Sequence, residues 1–231
     1  IKDWPRMPGL PENLLVKIIC YITDPVTTTD ELIPSGETSS YRSNPLRLAE
    51  FTLSRKDPGY VARAKEVRAF EEGRQRGEAA EEIAEVLKSI NAIPGFKDMD
   101  LSRIGIGSTI YARKPGDGSA REQAASCQRV LGASANLALE YATKRYRSNL
   151  INWGILPFLI PDEKDLKPGD YVFFPDIKKA AAGQTASIRG FVIGNETKEI
   201  AVSLGELTAT ERQILIDGCL INYYSTGRDG Q

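Results

Sequence analysis

The stretch PGDGSAREQAASCQRVLG, residues 115–132, is the most informative part of this 231-residue chain. Its glycine-rich start runs into an Ala-, Ser- and Gln-rich segment that is typical of a helix and that ends at Gly132. A glycine-rich loop before a helix usually suggests a phosphate cradle, but the stretch contains neither GxGxxG nor a Gly-Lys-Ser/Thr motif. The loop therefore needs an explanation other than nucleotide binding.

The residue types in this loop suit the binding of an anion. Gly116 and Gly118 allow a positive φ or a close approach of the backbone to a ligand. We predict Ser119 and Arg121 in the first helical turn, where free N–H groups and the helix dipole favour negative charge. There a serine hydroxyl loses its proton more easily, and the guanidinium can bind a carboxylate through two parallel hydrogen bonds. The alternative is that Ser119 is simply an N-cap after a simple turn at residues 116–118.

Charge and hydropathy exclude several classes of protein. Thirty Lys and Arg residues balance thirty-one Asp and Glu residues, so a net charge of −1 provides no field for nucleic acid or an anionic membrane. No apolar run approaches the roughly 20 residues that a membrane span needs. The amino-terminal residues lack the pattern of a signal peptide. The first residue is Ile rather than Met, which suggests a piece of a longer chain.

Cysteine and histidine usage restricts the chemistry further. The three cysteines, Cys20, Cys127 and Cys219, lie far apart in the sequence, which predicts reduced thiols and a cytoplasmic location. We expect no metal or iron–sulfur site within this chain. Histidine is absent, which excludes Ser-His-Asp and Cys-His catalysis. Proton chemistry must use carboxylates, Ser, Lys, Tyr or solvent.

The hydrophobic patterns predict a mixed α/β fold with helices layered on a sheet. Predicted strands cover residues 13–22, 103–112, 136–142, 155–160 and 166–174, with a hairpin over 187–205. Predicted helices are two between about 60 and 90, one over 119–134, a short basic one over 143–154 and one over 208–224. The last begins with a capping box of Thr208 and Glu211. Residues 23–45 form a long loop, which suggests a functional or disordered segment.

Three ordered blocks resemble the aconitase family in its swivelling C-terminal domain. GDGSAREQAASCQRVLG (116–132) is similar to the family signature G-E-G-S-S-R-E-H-A-A-x-x-P-R-x-L-G. SNLINWGILPF (148–158) is similar to N-L-x-x-x-G-x-L-P-L, and TTDELIPSG (28–36) resembles T-T-D-H-I-S-P-A-G. Residues 201–224 also follow the closing strand and helix of the family.

This resemblance implies a three-layer β/β/α swivelling domain over residues 1–231, with an extra helical insertion around 60–90. Such a domain closes over an active site that other domains build. It implies that a 4Fe-4S iron–sulfur cluster in those N-terminal domains, or in a separate large subunit, binds the substrate hydroxyl and carboxylate. The implied activity is that of a hydro-lyase acting on a small di- or tricarboxylate, and the isolated chain is expected to be inactive.

The resemblance also implies roles for the residues of the loop. Ser119 corresponds to the serine base, which removes a proton from the carbon beside a substrate carboxylate. Arg121 corresponds to the arginine that holds a carboxylate. Gly118 and Ala120 are expected to bind substrate, Ala120 through its main-chain N–H. The family has a second serine at position 120, so a hydroxyl contact is lost there.

Other roles follow from looser matches. The second substrate arginine of the family corresponds best to Arg42, with Arg47 as its rival. Asp30 is expected to orient parts of the closed site, with Asp117 and Glu122 in supporting positions. Family histidines are replaced by Glu31 and Gln123. These departures indicate an outlying branch and leave citrate open as a substrate.

Three functions remain open on the sequence. The first is the swivel domain of a longer aconitase-like hydro-lyase. The second is a natural small subunit, as in isopropylmalate isomerase, that pairs with a large subunit. The third is a non-catalytic RNA-binding module that uses Lys144, Arg145, Arg147 and Trp153, and the charge balance argues against nucleic acid.

Overall fold

A seven-stranded mixed β-sheet organises the chain in the computed structural model, which describes residues 7–226. Residues 1–6 and 227–231, the ends of the predicted 1–231 domain, lie outside the described residues. The strands are β1 (Asn13–Ile22), β2 (Thr27–Thr28), β3 (Ile104–Ala112), β4 (Pro115–Asp117), β5 (Ala133–Ala138), β6 (Leu156–Leu159), β7 (Tyr171–Phe174), β8 (Ile188–Ile193) and β9 (Thr197–Val202). The predicted strands are therefore present, although β5 starts before the predicted residues 136–142.

The sheet combines a parallel half with an antiparallel half. Its strand order is β6-β5-β3-β1-β7-β8-β9, in which β6, β5, β3 and β1 run parallel and β7 to β9 are antiparallel. β1 lies in the middle, and its apolar side chains are buried on both faces. This burial explains why its sequence is a continuous apolar run rather than an alternating one. β2 and β4 form a separate two-stranded parallel sheet.

The sheet curls until its two outer strands meet. Leu159 at the end of β6 and Ser203 after β9 exchange two backbone hydrogen bonds of 2.8 and 2.9 Å. All seven strands contribute side chains to one buried cluster inside the curl, where Phe158 stacks on Phe174 with ring centroids 4.4 Å apart. The curl thus provides two β layers.

Helices pack against the sheet and complete the layered fold. They are α1 (Thr29–Leu32), α2 (Pro45–Ala49), α3 (Tyr60–Gln75), α4 (Glu81–Asn91), α5 (Arg121–Val130), α6 (Lys144–Asn152), α7 (Ile177–Ala182), α8 (Ala209–Asp217) and α9 (Leu220–Ser225). A second buried cluster lies between the outer face of the sheet and α1 to α6. Across residues 7–226, no helix is both long and apolar enough to cross a membrane.

Two glycines decide where helices end. The predicted pair of helices between 60 and 90 is confirmed: α3 passes through Gly73 and is separated from α4 at Gly77, whose φ is 78°. The single helix predicted over 208–224 is wrong, because Gly218 (φ 97°) breaks it into α8 and α9. At this break Pro8 packs closely against Gly218. A Cβ on Gly218 would lie under 3.0 Å from the carbonyl oxygen of Pro8. The predicted capping box of Thr208 and Glu211 is confirmed.

Candidate functional site

The loop that carries Ser119 follows the carboxyl end of β3 and is tied to the segment that starts α1. The N–H of Thr27 donates to the Lys114 carbonyl at 2.9 Å, and β2 pairs with β4 so that Thr28 lies opposite Asp117. Two of the sequence blocks that are far apart along the chain, residues 28–36 and 116–132, are therefore adjacent in space.

Two glycines in this loop are required by both conformation and space. Gly116 has a φ of 102° and Gly118 a φ of 127°, values that side-chain-bearing residues rarely adopt. A Cβ on Gly118 would lie under 3.0 Å from the Oγ1 atom of Thr29, and one on Gly116 under 3.0 Å from the ring of Tyr146. The loop is therefore packed between α1 on one side and α6 on the other.

The amino-terminal end of α6 holds the loop from its second side. The N–H of Ala142 donates to the Pro115 carbonyl at 3.0 Å, and the Thr143 hydroxyl donates to the Gly116 carbonyl at 3.2 Å. Thr143 also caps α6 by accepting from the Tyr146 N–H at 3.1 Å. Sequence analysis did not identify these supporting residues, although two closely spaced glycines often indicate backbone packed against a neighbour.

Tyr146 supports the loop from a fully buried position. Its hydroxyl accepts hydrogen bonds from Gln128 Nε2 at 3.0 Å and Asn136 Nδ2 at 2.9 Å, and burial raises the pKa of this phenol to about 12. The hydroxyl thus stays neutral at physiological pH. The ring that contacts Gly116 is fixed by these two amides, so the loop rests on a rigid support.

Ser119 is exposed and lies two residues before the first residue of α5. Ala120 is the N-cap of α5, with φ −81° and ψ 42°, and it makes no side-chain capping bond. The alternative in which Ser119 is the N-cap is therefore wrong, and so is its placement in the first helical turn. Gly118 gives the backbone a conformation that brings Ala120, not Ser119, to the capping position. No hydrogen bond to the Ser119 hydroxyl is found within residues 7–226.

The N-terminus of α5 is electropositive where the serine lies. The Asn149 amide, oriented so that its nitrogen donates to the Arg145 carbonyl, accepts from the Glu122 N–H at 2.8 Å. The N–H groups of Arg121 and Gln123 have no such partner among the described residues. A ten-residue helix such as α5 presents roughly half a positive charge at this end.

Arg121 is the first residue of α5 and is partly buried. Its Nε atom is buried without a hydrogen-bond partner, and within residues 7–226 its guanidinium forms no ion pair. Buried polar atoms without partners are rare and require an explanation. A guanidinium without an ion pair at the positive end of a helix is suited to bind a carboxylate from outside the chain.

The acidic residues of the predicted site lie on its surface. The Glu122 carboxylate accepts from Trp153 Nε1 at 3.1 Å, while Asp117 is exposed on the loop. Asp30 is also exposed and pairs with Arg55, which pairs in turn with Glu37. Surface pairs of this kind contribute little stability, so Asp30 acts mainly by connecting α1 to the loop that follows it.

Arg42 is exposed on the loop before α2, and its role in binding substrate stays a prediction. Residues 43–46, directly after it, line a cavity together with Arg129 and Val130 at the carboxyl end of α5. Its rival Arg47 lies over the ring of Tyr41, 4.7 Å from the centroid.

The residues predicted for RNA binding are only partly available. Arg147 donates through Nη2 to the carbonyls of Leu204 at 2.6 Å and Glu206 at 2.8 Å. Lys144 and Arg145 remain exposed on α6. The basic stretch is thus divided between a structural contact and the solvent.

The cysteines do not fit a metal cluster. Cys20, Cys127 and Cys219 are buried and free, and burial raises the pKa of Cys20 and of Cys127 to about 12. Thiolates bind metals, and the raised pKa values hold the thiols of Cys20 and Cys127 in their protonated form. Within the described part of the chain, no group of three His, Cys, Asp or Glu residues could hold a metal ion.

Comparisons with known proteins agree with the fold and with the family that the sequence resembles. Residues 70–163 match the family described as the aconitase C-terminal domain. The chain is similar in structure to 3-isopropylmalate dehydratase (LeuD) of Methanocaldococcus jannaschii, with a TM-score of 0.56 and 22% sequence identity over 93% of this chain and 95% of that one. A comparison with curated protein sequences finds no match. The predicted swivel-type α/β fold is confirmed, and the family match over residues 70–163 agrees with the predicted resemblance.

Proposed function

Because residues 70–163 match the aconitase C-terminal domain family, we propose that the chain is the swivel component of an aconitase-type hydro-lyase. We favour the small-subunit arrangement over the domain of a longer enzyme. This preference is supported by a structural likeness that extends over 93% of the chain and 95% of the matched dehydratase chain. Residues 1–231 would then form one domain that closes over a cluster-bearing partner in the cytoplasm.

The observation that carries the proposal is the pairing of Ser119 with Arg121. At the positive end of a ten-residue helix, Ser119 is exposed without a hydrogen bond, and two residues later Arg121 carries a guanidinium without an ion pair among the described residues. Arg121 would hold one carboxylate of a di- or tricarboxylate substrate. Ser119, as its alkoxide, would accept the proton from the carbon beside that carboxylate and become a hydroxyl, while the electron pair of the broken C–H bond forms the double bond.

Charge that develops on the carboxylate would be stabilised by main-chain donors. The N–H groups of Gly118 and Ala120 are suited to this role because the glycine lets the backbone approach closely. The hydroxyl group leaves from the neighbouring carbon. Assistance for that step has to come from the partner, because the described residues provide no site for an iron–sulfur cluster.

Energetics explain why a partner is needed. An exposed helix terminus stabilises a charge by only about 0.3–1 kcal/mol, rising to about 2 kcal/mol in partly buried geometries. Ser119 is exposed, so water weakens this effect in the isolated chain. Closure of a partner over the loop would exclude water and strengthen the interactions of Ser119 with the helix end and with Arg121. We therefore expect the isolated chain to be inactive.

A substitution at Ser119 tests this function. The chain is isolated with its native partner through an affinity tag under anaerobic conditions, and hydration of unsaturated di- and tricarboxylates is followed by their ultraviolet absorbance. In this assembly Ser119→Ala should lower kcat by at least about a hundredfold, the usual contribution of a general base, with KM nearly unchanged. The exposed Ser187 beside β8 is the matched control, and Ser187→Ala should behave as wild type.

Two results would contradict the proposal. The first is normal turnover in Ser119→Ala, which would remove this hydroxyl from the reaction. The second is an assembly that purifies without iron and that neither hydrates nor dehydrates any carboxylate tested. RNA binding by the tagged chain, lost in a variant without Lys144 and Arg145, would support the non-catalytic alternative instead.

A further inference from the structure

A cavity of about 690 Å³ lies at the opposite edge of the sheet from Ser119. Its wall includes Gly105 at the start of β3, Gly132 before β5 and Gly154 before β6, whereas the Ser119 loop follows the carboxyl end of β3. The volume is within the range of small-molecule sites, about 300–1,000 Å³. The apolar part of the wall comprises Met7, Leu10, Pro11, Leu14, Leu46, Ile106, Val130 and Leu215.

Charged side chains also line this cavity, and the positive charges outnumber the negative ones. The wall contains three arginines and two glutamates. Arg68 Nε pairs with Glu72 Oε1 at 3.1 Å, and Arg74 Nη2 pairs with Glu71 Oε1 at 2.7 Å. Both glutamates are thereby neutralised. The remaining cation of the wall is Arg129.

Arg129 is largely enclosed but has no carboxylate partner within residues 7–226. Its Nη1 donates to the Ala133 carbonyl at 3.1 Å, and its Nη2 donates to the Gly218 carbonyl at 3.5 Å. Carbonyl groups satisfy donors without cancelling the charge, and burial lowers the pKa of this guanidinium. Buried charges in proteins are usually paired, so an enclosed cation on a cavity wall indicates an anionic ligand.

We propose that this cavity binds a small organic anion with an apolar body, whose acidic group lies on Arg129. The apolar wall would hold the body of the ligand, and the guanidinium would neutralise its charge. This ligand differs from the substrate of the proposed reaction, because a di- or tricarboxylate would bring more negative charge than one unpaired arginine neutralises. A purely structural Arg129, which only links α5 to the carbonyls of Ala133 and Gly218, would show no preference for anions.

Two fluorescent dyes separate these possibilities in the purified chain. The dye 1-anilinonaphthalene-8-sulfonate is apolar and anionic, and N-phenyl-1-naphthylamine is its neutral counterpart. Hydrogen bonds to charged groups contribute about 1.5–3 kcal/mol, so Arg129→Met should weaken binding of the anionic dye at least about tenfold. Binding of the neutral dye should change less than about twofold. Arg129→Lys should retain most of the preference for the anionic dye, and Arg145→Met, on the exposed face of α6, should leave both dyes unchanged.

A competition experiment keeps the test independent of how the variants fold. In the wild-type chain, decanoate should displace the anionic dye at a concentration at least about tenfold lower than decanol does. Equal displacement by the two compounds would overturn the proposal, as would equal losses of both dyes in Arg129→Met or no saturable dye binding at all. Ser119→Ala should not affect any of these measurements, so a failure of the proposed catalytic function leaves this site untouched.

Discussion

Gly118 is the position at which substitution should be most informative, because it joins the serine loop to α1. An alanine there would have to adopt a φ of 127°, and its Cβ would lie under 3.0 Å from Thr29 Oγ1. Backbone strain in left-handed regions costs about 1–2 kcal/mol, and overpacking costs typically about 1–3 kcal/mol. We therefore expect Gly118→Ala to lower the free energy of unfolding by about 2–5 kcal/mol.

Two further variants divide this loss into its causes. Gly95 also has a positive φ, 94°, but nothing lies within 4 Å of where its Cβ would be, so Gly95→Ala should cost only the backbone strain, about 1–2 kcal/mol. In a Thr29→Ala background the clashing oxygen is absent, and the nearest remaining atom is the Thr29 Cβ at 3.4 Å. Gly118→Ala should then cost about 1–3 kcal/mol less than in the wild type.

Urea unfolding followed by circular dichroism measures these differences. With a slope of about 3 kcal/mol per molar urea, a loss of about 3 kcal/mol lowers the midpoint by about 1 M. Two outcomes would refute the reasoning: a loss for Gly118→Ala no larger than that for Gly95→Ala, or a coupling to Thr29 below about 0.5 kcal/mol. Either would show that the close contact between the loop and α1 does not exist.

Three more predictions concern the site and its support. Arg121→Lys in the active assembly should raise KM and lower kcat, since an ammonium cannot reproduce a bidentate contact, while Arg145→Lys should change neither. Tyr146→Phe removes the acceptor of the buried Asn136 amide and one of the two acceptors of the Gln128 amide. It should reduce the free energy of unfolding by about 1–3 kcal/mol in urea titrations, and a change near zero would contradict this. Hydrogen bonds from Arg113 and Tyr111 hold the pKa of Glu163 below its usual 4.5, so this carboxylate stabilises the fold above about pH 4.5 and loses that contribution as the pH falls further. Between pH 6 and 3 the melting temperature of Glu163→Gln should therefore fall less than that of the wild type. Equal decreases in the two melting temperatures would contradict this prediction.

Local patterns predicted some of the elements that bury a face or carry a cap. The continuous apolar run of β1 and the capping box of Thr208 and Glu211 are signals of this kind. They missed α1, whose capping box of Thr28 and Glu31 lies in the segment 23–45 that was predicted as a loop. α7 was not predicted, because six residues rich in Ala and Lys show no apolar periodicity. The break at Gly218 was also missed, since it depends on the passage of Pro8, which is more than two hundred residues away along the chain.

The candidate site, like the fold, contains residues that local sequence predicts and residues that only tertiary packing positions. Chemistry that lies within one loop, such as the proximity of Ser119 and Arg121, follows directly from sequence spacing. The supports of that loop, Thr29 and Tyr146, come from distant segments and are fixed only by tertiary packing. For Arg42, the resemblance to a family position did not predict the surroundings of its loop. Residues 43–46 of that loop line a cavity with Arg129 and Val130, at the carboxyl end of α5.

The central position of β1 has a consequence for how the chain is made. Leu14 pairs with Gly105 in β3 and with Phe174 in β7, so this strand is complete only when most of the chain exists. Phe174 is synthesised 69 residues after Gly105 (174 − 105), and ribosomes add about 5–20 residues per second, so the second partner follows the first by roughly 3–14 s. During that time a ten-residue apolar strand lacks one neighbour. Nascent-chain chaperones should therefore bind this first strand, and moving it to the carboxyl terminus by circular permutation should shorten its exposure during synthesis.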